Sequence, residues 1–263
     1  MIIKITDDFN LRKIAYSGQC FRVKELDENT FSFITKASRV TMKYISDGTY
    51  DVTCDQDEWD GIWRDYFDLD TIYSDIRASI PDNDTYMKNA AEIGKGIRIL
   101  KQDYFEMLIS FIISQRKSIP AIKTSVERLC TLYGKNGFFP TPESMLNATN
   151  EELSSCGLGY RVAYVSEAAK KVALHEVDLN ELSLLSDDDL FTELKSFNGI
   201  GDKVANCVAL FGYHRVGRAP VDTWIKKVID NSYNGINPFP TYGSVAGIMQ
   251  QYMFYAAQQH KTI

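Results

Sequence analysis

Two residues in the last third of the chain have types and surroundings suited to chemistry. Lys203 follows the turn Asn198-Gly199-Ile200-Gly201-Asp202, and Asp222 stands nineteen residues further on in Ala219-Pro220-Val221-Asp222-Thr223-Trp224. A lysine in the first turn of a helix sits where the dipole disfavours positive charge, so it can serve as a neutral amine nucleophile. A Gly-apolar-Gly turn ahead of it lets backbone N–H groups approach a phosphate with no Cβ in the way. Blander readings of the same residues are an ordinary helix-helix turn, a solvated surface lysine, and an aspartate that only caps the helix from Trp224 to Ile229.

The elements that must position these residues follow from pattern. Ser186 and Asp189 form a capping signal for a helix with Leu190, Phe191, Leu194 and Phe197 on its apolar face. A second helix starts at about Asp202 and buries Val204, Ala205, Cys207, Val208 and Phe211, which gives a helical hairpin over about 187–212. Further upstream, Asp103 caps a helix over Tyr104 to Ser114 that is apolar on nearly every side and reads as the buried central helix. It stops at the polar tetrad Gln115-Arg116-Lys117-Ser118, after which an amphipathic helix runs from Ile119 to a C-cap at Gly134. From Met1 to about Tyr50 apolar and polar residues alternate between turn clusters, as in short antiparallel strands. Trp59, Ile62, Trp63, Tyr66 and Phe67 then take helical spacing, and Pro81-Asp82-Asn83-Asp84 marks a loop. Strands first and helices afterwards indicate an α+β fold, with a strand-rich domain over 1–90 and a helical region over 91–263.

The 263 residues carry a formal net charge of -6, which by itself speaks against a partner as anionic as DNA. The charge is unevenly spread. Asp47 to Tyr86 holds twelve carboxylates against Arg64 and Arg77, so that one stretch carries -10 and the remainder +4. Between Glu193 and Asp230 the balance is a local +2. The longest apolar run, near Met107 to Ile113, is too short for a bilayer, and residues 1–16 lack the layout of a signal peptide. A soluble cytoplasmic monomer is expected. Five scattered cysteines without a C-x-x-C pair, and only three histidines, argue against zinc, an iron-sulfur cluster or a disulfide framework.

Leu194 to Lys203 followed by Pro220-Val221-Asp222 resembles the helix-hairpin-helix and Pro-Asp segment of base-excision DNA glycosylases, and lysine at the catalytic position marks their bifunctional branch. Ser17-Gly18-Gln19-Cys20-Phe21-Arg22, Phe111-Ile112-Ile113-Ser114 ahead of the tetrad, and Leu158-Gly159-Tyr160-Arg161-Val162-Ala163-Tyr164-Val165 narrow the resemblance to the 8-oxoguanine DNA glycosylases. The segments occur in that family's order and cover nearly the whole chain.

The resemblance implies that duplex DNA containing 8-oxoguanine is the partner and that the lesion is flipped into a pocket at the junction of the domains. Lys203 and Asp222 would be catalytic, the first as nucleophile toward the sugar, the second stabilising positive charge on it, with no catalytic cofactor. Gly18, Cys207, Gln250 and Phe254 match positions that hold the base. Gly199 and Gly201 match the phosphate-binding turn, Tyr160 the aromatic wedge, and Arg161 one of two arginines that read the estranged cytosine. Main-chain carbonyls of Lys195, Phe197 and Ile200 match a structural cation site. The chain also departs from the pattern: Arg116 stands in place of an asparagine that enters the duplex, Ala121 in place of the second arginine, Trp224 in place of a histidine and Val23 in place of a tryptophan. These departures suggest a bacterial-type branch and weak discrimination of the opposite base. Two alternatives compete, a glycosylase for alkylated bases that uses Asp222 to activate water, and a helix-hairpin-helix protein that only binds damaged DNA.

Overall fold

A computed structural model describes residues 1–259, which form two compact units. The first contains Met1–Phe33, Arg39–Lys101 and residues 214–259. Its sheet is built from β1 (Ile2–Lys4), β2 (Lys24–Asp27), β3 (Thr30–Thr35), β4 (Ser38–Ser46) and β5 (Thr49–Val52) in the order β1-β5-β4-β3-β2. The pairing is antiparallel, as the alternation in sequence requires: Ile3 lies opposite Tyr50, and Glu25 opposite Phe31. Phe31, Phe33, Val40 and Met42 turn inward and are at most 1% exposed. Against them pack Trp63, Tyr66 and Phe67, whose spacing brings them to one side of the helical stretch over residues 56–66. Phe33 and Phe67 meet edge-on, with centroids 5.0 Å apart. One helix in this region, Leu11–Tyr16, has no counterpart in the strand pattern; Asn10 caps it by accepting the Lys13 N–H at 3.0 Å.

A polar cluster lies beneath this apolar layer. Arg98 is fully buried and donates to the carbonyls of Asp8, Asp68 and Thr71 and to the Asp7 carboxylate. Asp68, also buried, accepts from the Tyr73 and Thr71 hydroxyls, each at 3.0 Å. It also lies 3.3 Å from both Lys101 Nζ and His214 Nε2. Lys101 is the last residue before the main excursion into the second unit, and His214 is the first after it. One buried carboxylate therefore holds both ends of that excursion.

The contacts divide the chain differently from a cut at residue 90. Strand and helix character does change near there, but the C-terminal helix Ala246–Gln259 packs on Thr85–Ile93 and Thr223–Ser232 within the first unit. The cause is its composition: Ile248, Met249, Tyr252 and Met253 are at most 1% exposed and need apolar cover on several sides.

The second unit contains Ile34–Ser38 and Gln102–Tyr213. Its centre is the helix Tyr104–Ser114, capped by Asp103 and buried from Phe105 through Ser114. The helices Ile119–Tyr133, Val162–Ala173 and Asp202–Phe211 pack against it. Gly134 does cap the second of these four helices, though its φ is -80°. Glycine is needed there because a Cβ would lie 2.1 Å from the Phe138 carbonyl oxygen, not because the backbone is left-handed.

Candidate active site

The hairpin in the second unit consists of the helices Asp187–Lys195 and Asp202–Phe211. Ser186 caps the first, accepting the Asp189 N–H at 3.2 Å, and Leu190, Leu194 and Phe197 are buried at 2% exposure or less. Between the helices, Gly199 has φ +79°, and a Cβ there would fall 2.4 Å from the Tyr164 ring. Both facts demand glycine. Gly201, the N-cap of the second helix, has φ -98° and open space where its Cβ would be. The fold does not require a glycine at 201, so the bare backbone there is available for close approach by another molecule.

Lys203 is the second residue of that helix, and its Nζ lies 5.7 Å from the centroid of the Phe111 ring. Phe111, which reads from sequence as core, stacks in turn on Phe211 at 5.4 Å. The amine is thus held over an aromatic face near the start of the helix. Cys207 is four residues on, on the same side of the helix, and buried.

Residues of the first unit carry the other expected positions. Asp222 caps the helix Thr223–Ser232, accepting the N–H groups of Trp224 at 2.9 Å and Ile225 at 2.8 Å. Both bonds fall on Oδ1, and among the described residues Oδ2 accepts none. The capping reading is therefore correct, and it leaves one carboxylate oxygen for other work. Gly18 has φ +80°. Its neighbours fix it tightly, since Ser17 and Gln19 are fully buried and the Gln19 amide bonds the Ser17 hydroxyl, Arg98 O and Leu100 N–H, each at 2.8 Å. No described residue donates to the Gly18 carbonyl. Gln250 and Phe254 are four apart on the C-terminal helix; Gln250 is buried, whereas Phe254 is only half-buried between Met253 and Tyr255, which are both buried.

The turns at 114–118 and 157–161 belong to the second unit. Arg116 is exposed, with a left-handed φ of +51°. That conformation suits asparagine better than arginine. Tyr160 is 54% exposed. Arg161 is different: it is 5% exposed, donates to Leu158 O at 3.0 Å and to Gln115 O, and lies over the Tyr160 ring at 4.3 Å. These two bonds use two of the five guanidinium N–H donors and tie the group to main-chain carbonyls, while its buried Nε has no hydrogen-bond partner among the described residues. Ala121 is exposed at the start of its helix and offers no hydrogen-bonding side chain.

Among the described residues, no group of His, Cys, Asp and Glu is arranged to hold a metal. The expected cation site at the hairpin turn is made of main-chain oxygens. Phe197 O accepts the Ile200 N–H at 3.1 Å, which still leaves a lone pair, and oxygen donors of this kind suit a hard cation.

Residues 1–108 match the family described as 8-oxoguanine DNA glycosylase, N-terminal domain, and residues 109–252 match the HhH-GPD superfamily of base excision DNA repair proteins. The chain belongs to the 8-oxoguanine DNA glycosylase branch of the HhH-GPD superfamily. A structure of MBOgg1 in complex with a low affinity DNA ligand is 33% identical, covers 99% of this chain and 96% of its own, and superposes with a TM-score of 0.93. The Clostridium acetobutylicum 8-oxoguanine glycosylase/lyase, solved with duplex DNA containing cytosine opposite 8-oxoguanine, is 30% identical over 99% of this chain and 98% of its own, with a TM-score of 0.91. The N-glycosylase/DNA lyase of Saccharomyces cerevisiae is 33% identical over 190 residues, 64% of this chain. The matched segment spans half the length of that yeast relative.

Proposed function

We propose that this protein is a bifunctional DNA glycosylase and lyase that removes 8-oxoguanine from duplex DNA and nicks the strand. The observation that carries the reading is Lys203 itself: an amine placed near the start of the hairpin's second helix, in a chain that belongs to this family. An amine can form an imine with a sugar, and a carboxylate cannot. In the reaction, Lys203 Nζ bonds to C1′ as the bond from C1′ to the base breaks, and the base leaves with that electron pair and takes up a proton. Loss of the amine proton and opening of the sugar ring give an iminium. Removal of a proton from C2′ then expels the 3′ phosphate by β-elimination, and hydrolysis frees the lysine. Asp222 Oδ2, which accepts no hydrogen bond among the described residues, stabilises the positive charge that develops on the sugar.

Recognition rests on the lesion's altered edge. Oxidised guanine carries a proton on N7 where guanine has a lone pair, and the rigidly held Gly18 carbonyl accepts it. Gln250 reads the Watson-Crick edge, while Phe254 and Cys207 cover the two faces of the base. N–H groups at Gly199 and Gly201 hold a backbone phosphate, and a monovalent or divalent cation on the carbonyls of Lys195, Phe197 and Ile200 stiffens that turn. Arg116 and Tyr160 enter the duplex. The protein acts as a monomer in the cytoplasm. No helix among the described residues is long and apolar enough to cross a membrane.

The test is product analysis with an 8-oxoguanine duplex. Released base together with a cut strand is expected. Base release without a nick points instead to a monofunctional enzyme that activates water with Asp222, and binding without either product to a DNA-binding protein only.

A further inference from the structure

The turns at 114–118 and 157–161 are joined by two reciprocal clasps. Lys117 Nζ donates to Gly157 O at 2.6 Å and, from the same nitrogen, to Ser125 Oγ at 2.6 Å. In the opposite direction Arg161 of the second turn donates to Gln115 O of the first. Each clasp involves a cation from one turn and a main-chain carbonyl from the other, a charge-assisted pairing stronger than a neutral hydrogen bond. Behind them, the helix Ile119–Tyr133 donates from Arg128 to Ser155 O at 3.3 Å. Partial burial, together with the charges of Arg161 and Arg128, lowers the pKa of Lys117.

What the clasps leave outside is informative. Arg116 lies between the acceptor Gln115 and the donor Lys117, and Tyr160 directly precedes the donor Arg161; both are exposed. Both turns pass through left-handed backbone, at Gly157 (+77°) and Gly159 (+58°), where glycine takes it freely, and at Arg116 (+51°). For a non-glycine residue such a conformation persists where surrounding contacts over-determine it. Inserting two side chains into a duplex gains most when their separation is fixed beforehand, because less ordering remains at the moment of insertion.

We propose that Lys117 is a positioning residue that, with Arg161, locks the two turns into one rigid wedge, so that Arg116 and Tyr160 enter the DNA as a unit. The inference rests on the proposed 8-oxoguanine excision. It assigns Arg161 to the wedge's scaffold in the free protein, and it gives a role to a lysine that sequence alone showed only as part of a polar tetrad.

The experiment compares wild type, Lys117→Met, Lys117→Arg and Ser125→Ala under single-turnover conditions on two duplexes, one with 8-oxoguanine and one with a preformed abasic site that has no base to extrude. Lys117→Met is expected to slow 8-oxoguanine excision about tenfold or more while strand cleavage at the abasic site changes by less than about twofold. Lys117→Arg, which can still reach a carbonyl, is expected to recover most of the loss, and Ser125→Ala to lose least. Equal losses on both duplexes, or no loss on either, overturn the proposal, and melting curves identify a variant that is simply unfolded. In that case the Lys117→Arg and Ser125→Ala ratios decide it by the same criterion. Wild type that excises nothing overturns the proposed function instead, so the two failures are distinguishable.

Discussion

Lys203 and Asp222 are held by different means, and their substitutions should fail differently. Asp222→Asn keeps an oxygen that can cap Trp224 and Ile225 but removes the negative charge, so base excision should fall about 10²-fold with little change in melting temperature. Asp222→Ala should add a stability loss of about 1 kcal/mol because the cap is gone. The glycine pair separates in the same way. Gly199→Ala places a methyl against Tyr164 in a left-handed backbone and should destabilise the fold, whereas Gly201→Ala meets open space and should fold normally while weakening duplex affinity. Equal melting temperatures for the two alanine variants would contradict this assignment. At this scale much was legible: a lysine after Gly-Ile-Gly and an aspartate before a helix can be read from one line of text. Arg161 could not be read that way. Its partner Gln115 is 46 residues away in the chain, and nothing local announces that the guanidinium is already engaged.

Elements were legible where one period dominates. The strands β1, β3, β4 and β5 and the hairpin each follow an alternation or a helical stripe, and the central helix, apolar on nearly every side, is marked instead by its Asp103 cap and its unbroken apolar run. Leu11–Tyr16 escaped because six residues are too few to establish a period, and the grouping of the C-terminal helix with the sheet escaped because packing partners are not written in local pattern. Nor does pattern show that Asp68 holds Lys101 and His214. Burial alone would raise the Asp68 pKa, but the hydrogen bond and charge of His214, the charge of Lys101 and the Tyr73 hydroxyl outweigh it and hold it below the ordinary value of 3.8. A carboxyl whose folded pKa lies below its unfolded one stabilises the fold above the unfolded value, and that contribution is lost as pH falls through the folded one. Asp68→Asn should therefore cost about 3 kcal/mol at neutral pH, and less as the pH falls below about 4. Urea unfolding at pH 7 and pH 3 checks this, and a cost that is the same at both values would contradict it.

For the molecule as a whole, the net charge of -6 first spoke against a DNA partner. The acidic stretch accounts for it: nine of the twelve carboxylates between Asp47 and Tyr86 are exposed, all in the first unit, whereas the hairpin turn and the clasped wedge belong to the second. With a local surplus of only two basic residues around the hairpin, docking should lean on helix N-termini and few phosphate contacts. Duplex affinity measured against salt should give a log-log slope of about -3 or shallower. A slope near -8 would contradict this mode of docking. The most direct test of Lys203 as the nucleophile is borohydride trapping on an 8-oxoguanine duplex, followed by mapping of the modified residue. Wild type should give a covalent protein-DNA adduct on Lys203 that is absent in Lys203→Ala, and an adduct on another residue, or equal trapping by the variant, would contradict that role.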